Sequence, residues 1–103
     1  MSAQCVPETV RHVLGHGAGA VATMPGCTVE CVPYPESCRS WVRVRWAGGN
    51  TTTDSRPYAP GELMMWLLCI LAVRDLNVDR LAWEPDFTAE PSRTNPFVGR
   101  AAS

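Results

Sequence analysis

A chain of 103 residues can organise one hydrophobic core of ordinary size and leaves no room for a second domain. With 46% hydrophobic and 18% charged residues, it is apolar enough to fold and too little charged to stay disordered. A formal net charge of −1 excludes a global field that would draw in nucleic acid or an anionic membrane, so any such binding needs a local patch.

All nine basic residues are Arg, a bias that a GC-rich coding sequence explains as readily as a need for bidentate recognition. The first ten residues carry no basic stretch followed by an apolar run, so no export signal is read and a cytoplasmic location is expected. Five cysteines, Cys5, Cys27, Cys31, Cys38 and Cys69, are an odd number; without an export signal they are expected as reduced thiols that pack like small hydrophobes.

In chain order, Val6, Val10, Val13 and Leu14 have the spacing of a short amphipathic helix over Pro7 to Leu14, with Gly15 placed to stop it. Ala18 to Met24 and Cys27 to Pro33 read as two strands joined at Pro25-Gly26, a dipeptide that favours a tight turn. Ser40 to Ala47 is the clearest strand, because Val42, Val44 and Trp46 alternate with Trp41, Arg43 and Arg45. The polar run Gly48 to Pro57 has the composition of an exposed loop. Pro60 and Glu62 suit the first turn of a helix, and Leu63 to Val73 is an unbroken apolar run ending at Arg74-Asp75. Asn77 to Glu84 reads as a last strand, after which Pro85, Pro91 and Pro96 leave an extended tail with Phe87 and Phe97 as anchors.

The order α-β-β-β-α-β predicts an α+β fold: a small antiparallel sheet of about four strands with two helices on one face. A domain over 1–84 and an extended, Pro-rich tail over 85–103 are expected. The order is similar to that of the double-stranded RNA-binding fold, but the basic loop and helix-terminal residues that such binding requires are absent, so no family is assigned.

The strongest physical signal is the helix Leu63 to Val73, which lacks the polar stripe that a surface helix turns to water. At roughly 16 Å the run is about half the hydrocarbon thickness of a bilayer, so burial in protein is expected and not a membrane span. With residues about 100° apart, Leu63, Leu67 and Leu71 face the sheet, while Met65, Trp66, Cys69 and Ala72 on the opposite side need another cover. That cover is the first helix, the tail or a second chain.

The second signal is the row Arg39, Trp41, Arg43 and Arg45, which a strand's two-residue period sets on one solvent face. Arginine beside an exposed aromatic stacks bases and holds phosphates. The competing reading is a solvated sheet face on which Glu30 pairs across with an arginine.

Weaker patterns are also present. His12 and His16 stand four apart, but Gly15 breaks the helix that would align them on a metal, and no Cys-x-x-Cys pair occurs, so no metal site and no cofactor are expected. Gly15, Gly17 and Gly19 follow a helix and do not precede one, the wrong order for a phosphate loop. Asp54, Arg56 and Tyr58 suit either a polar site or an exposed loop.

These features favour a non-catalytic binding or regulatory protein that works through contacts with a protein partner or a second copy of itself, of the kind that serves as an accessory or inhibitory protein of a phage or mobile element. The expected partner-binding residues are Arg39, Trp41, Arg43, Arg45, Met65, Trp66 and Cys69. The alternatives are a nucleic-acid-binding module using the Arg and Trp face, and a thiol- or metal-dependent enzyme.

Overall fold

A computed structural model describes residues 11, 13–14 and 16–98 of the chain. Strands β1 (Gly19–Met24), β2 (Cys27–Pro33), β3 (Ser40–Trp46) and β4 (Thr51–Thr53) precede one long helix, α1 (Pro60–Val73). A short 3-10 helix (Val78–Arg80) and strand β5 (Ala82–Asp86) follow. All pairings are antiparallel, in the spatial order β4-β3-β2-β1-β5.

Local chemistry explains most of these boundaries. Gly26 takes φ 108° directly after Pro25, the pattern of a tight turn that needs a positive φ at its third position, and Met24 pairs with Cys27 across it. Helix α1 opens with Pro60, whose missing N–H costs nothing there, and Glu62 reaches back to accept from the Ala59 N–H at 3.1 Å. It closes with Asp75 at φ 64°, the Asp75 N–H donating to the Ala72 carbonyl and the Leu76 N–H to the Leu71 carbonyl, each at 2.9 Å. Those two bonds satisfy carbonyls that the end of the helix would otherwise leave unpaired.

The sheet buries one face under α1. Leu63, Leu67 and Leu71, four residues apart, are fully buried against Ala20, Ala22, Val29, Cys31, Val42 and Val44. Val13 and Leu14 join the buried set from the N-terminal side.

Three expectations change. The helix over Pro7 to Leu14 lies mostly outside the described residues, of which Arg11, Val13 and Leu14 are helical; among the described residues α1 is the one full helix. The sheet has five strands and not about four, because Thr51–Thr53, inside the expected loop, pairs with Arg43–Arg45. Three consecutive threonines are β-branched strand formers whose polarity disguised them. The last strand starts later than its alternation suggests: the Asn77 side chain accepts from the Asp79 N–H at 2.9 Å, which winds Val78–Arg80 into a 3-10 turn before β5.

Residues 87–98 form no helix or strand and cross the second face of the sheet. The Ser92 N–H donates to the Pro33 carbonyl at 3.0 Å, and the Ser92 carbonyl accepts from the Trp41 indole at 2.8 Å. Asn95 donates to the Asp54 carbonyl at 2.6 Å. Gly19 makes room for this path, since a Cβ there would lie 2.6 Å from the Ala89 Cβ and 2.7 Å from the Cys31 carbonyl oxygen. Phe97 serves as an anchor, with the Arg43 guanidinium 4.7 Å from its ring centre, whereas Phe87 is exposed.

Candidate functional site

The two predicted surfaces fare differently. On the second face of the sheet the expected row does not form as a unit. Arg39 precedes β3, and its guanidinium turns to Glu62 at the start of α1, at 2.9 Å, and to the Pro57 carbonyl. Trp41, expected as an exposed aromatic, is only 5% exposed, because the C-terminal segment covers it and Tyr34 lies 5.9 Å away. Arg43 and Arg45 do project from the same side, and Glu30, the cross-strand neighbour of Arg43, takes both. This is the pairing that a solvated sheet face would have. Glu30 and Arg43 are each about a quarter exposed, so this ion pair is less screened than an ordinary surface pair.

On the outer side of α1 the expected residues do come together. Met65 is 61% exposed and Cys69 is also exposed, both opposite the buried leucine stripe, and Trp66 is half-buried at its edge. Among the described residues nothing encloses the helix: neither the sheet nor the C-terminal segment covers this side. Leu68 at 38% and Val73 at 85% exposure extend the apolar surface along the helix. Both were missing from the expected site, although the helical period that selects Met65 and Cys69 places Val73 on the same stripe.

The polar loop supplies the rest. A shallow cavity of about 360 Å³ is lined by Arg56, Tyr58, Glu62, Met65, Trp66 and Cys69. Tyr58 is placed by backbone bonds in both directions with Ser40, each 2.8 Å, and its ring lies 6.2 Å from that of Trp66. The Tyr58 hydroxyl donates to the Asp54 carboxylate. That bond holds the Asp54 carboxyl below the usual carboxylate range and pushes the Tyr58 hydroxyl above its ordinary value. Arg56 lies over the Tyr58 ring, 5.3 Å from its centre. Glu62 is shared between the Ala59 N–H and Arg39, and its pKa is lowered, the Ala59 bond being the largest cause.

The cavity's polar groups are thus each engaged, Tyr58 with Asp54 and Arg56, and Glu62 with Ala59 and Arg39, beside the apolar Met65 and Trp66. Proton transfer needs an acid or base free to reach a substrate, and here Tyr58 and Glu62 are each already bonded within the protein. Among the described residues no three His, Cys, Asp or Glu side chains gather as a metal cluster. His12 lies outside the described residues, so the pair with His16 is not described. Cys27, Cys31, Cys38 and Cys69 are unbridged, and burial pushes the Cys31 thiol up to about 12. No described helix is long and apolar enough to cross a membrane.

The fold and site define a small α+β protein with one antiparallel sheet, a helix on one face and a C-terminal crossing segment on the other. No family model, curated protein or solved structure matches the chain.

Proposed function

We propose that this is a non-catalytic binding protein whose contact surface is the outer side of α1, with the cavity between Tyr58 and Trp66 at one end. One observation carries the reading: a helix apolar from Leu63 to Val73 leaves Met65, Leu68, Cys69 and Val73 exposed. A contiguous apolar face of this kind, rimmed here by Arg56, Glu62 and Asp75, is what protein contacts use, with aromatic residues and Met enriched at the centre. Nucleic-acid binding by the Arg and Trp face has less support, because stacking needs an aromatic face that Trp41 does not offer and Glu30 occupies both arginines.

The test is photo-cross-linking in the protein's own cells, with a benzoylphenylalanine at position 65 and, as control, at position 45 on the other face. A discrete adduct from position 65 alone supports the reading, and its mass identifies the partner as a second copy or a different protein. Equal, diffuse labelling from both positions overturns it.

A further inference from the structure

The C-terminal segment and the helix-side cavity lie on opposite faces of the sheet, yet both end on Asp54. Its carbonyl oxygen accepts from Asn95 at 2.6 Å, and its carboxylate accepts from the Tyr58 hydroxyl, whose ring is a wall of the cavity. Asp54 follows the last residue of β4, a three-residue edge strand, so no neighbouring strand fixes its peptide. Tyr58 has its backbone fixed separately by Ser40, so the bond to Asp54 acts on the ring and not on the chain path. Asn95 is itself held: its side-chain oxygen accepts from the Phe97 N–H at 2.8 Å, and Phe97 lies under Arg43, which Glu30 fixes to the sheet.

We infer that Asn95 is a positioning residue for the helix-side cavity. By holding the Asp54 peptide it sets the Tyr58 ring against Trp66, so displacing residues 92–97 from the second face reshapes the contact surface on the first. A supporting shell of this kind is what keeps a binding surface in one geometry before its partner arrives. The inference rests on the proposed function only for the cavity's role; the coupling itself is read without a partner.

The experiment uses the full chain labelled with 5-fluorotryptophan, whose four fluorine resonances are assigned by single Trp→Phe replacements. Asn95→Ala should shift the Trp66 resonance as well as that of Trp41. Thr88→Ala, which removes only the hydroxyl's bond to Asp86, should leave Trp66 in place. In a Tyr58→Phe background, where the link to Asp54 is gone, Asn95→Ala should no longer move Trp66. A Trp66 resonance that stays put in Asn95→Ala while Trp41 shifts overturns the inference, as does a shift that survives Tyr58→Phe. If Asn95→Ala does not fold, the near-isosteric Asn95→Asp replaces it with the same outcomes, since it keeps the acceptor for Phe97 and loses the donor. Equal, diffuse labelling from positions 65 and 45 would overturn the binding reading and leave this inference to the Trp66 resonance.

Discussion

Two polar sites, Ser40 and the Asp54–Tyr58 pair, act on stability in opposite senses. Ser40 faces the core side of β3 with a side-chain oxygen that is buried and has no hydrogen-bond partner among the described residues. A buried hydroxyl left unsatisfied costs about 1–3 kcal/mol, so Ser40→Ala should raise stability by about 1 kcal/mol in urea unfolding; a loss would mean that the hydroxyl has a partner in solution. The Asp54 and Tyr58 pair contributes in the other direction. Asp54 has its pKa lowered in the fold, so its contribution is present above the unfolded value near about 4 and disappears as pH falls through the lower folded value. Tyr58 has its pKa raised, so its contribution is present below the unfolded value near about 10 and disappears as pH rises through the folded value. The melting-temperature gap between the parent and Tyr58→Phe should therefore be widest at mid-range pH and narrow towards both extremes. A gap constant from pH 3 to 11 would show that the bond does not form.

At the scale of elements, α1 has two apolar sides with different duties. Leu67 is fully buried, and Leu67→Ala should cost about 2–5 kcal/mol because the sheet cannot close the cavity left behind. Met65 is exposed, so Met65→Glu should keep the parent's stability to within about 0.5 kcal/mol while weakening the proposed contact. A collapse in melting temperature like that of Leu67→Ala would show that the N-terminal residues cover this side within the monomer. The period of about 3.6 separated these two sides in the sequence and set the leucines on the sheet, but it could not say whether the other side would stay open, since cover is supplied by residues distant in the chain. The same limit explains β4. Thr51–Thr53 becomes a strand because Arg43–Arg45 offers it an edge, and no local pattern reports that offer.

At the scale of the molecule, the sheet is covered on both faces, by α1 on one and by residues 87–98 on the other. At Gly19 the crossing segment and β2 come too close to β1 to admit a Cβ. In Gly19→Ala the new Cβ would lie 2.6 Å from Ala89 and 2.7 Å from the Cys31 carbonyl, so either β1 or the crossing segment must shift. Overpacking of this kind costs about 1–3 kcal/mol. The segment, held by a few bonds, is the part that should yield, which would speed tryptic cleavage after Arg93, an exposed site within it. An unchanged cleavage rate with lowered stability would place the adjustment in β1.

By itself the sequence determined the elements whose signals are short in range: the hairpin at Pro25-Gly26, the alternation of β3, the start and stop of α1, and the leucine stripe that meets the sheet. Each rests on steric or periodic rules that act within a turn or two of chain. Met65, Trp66 and Cys69 were legible as one surface for the same reason. Tertiary structure alone decided that Arg39 leaves its row for Glu62, that Trp41 lies beneath Ser92, and that Tyr58 joins Trp66 to wall a cavity. These pairings join residues 8 to 51 positions apart, and whether a side chain is covered depends on what chain closure brings over it, which no local period encodes.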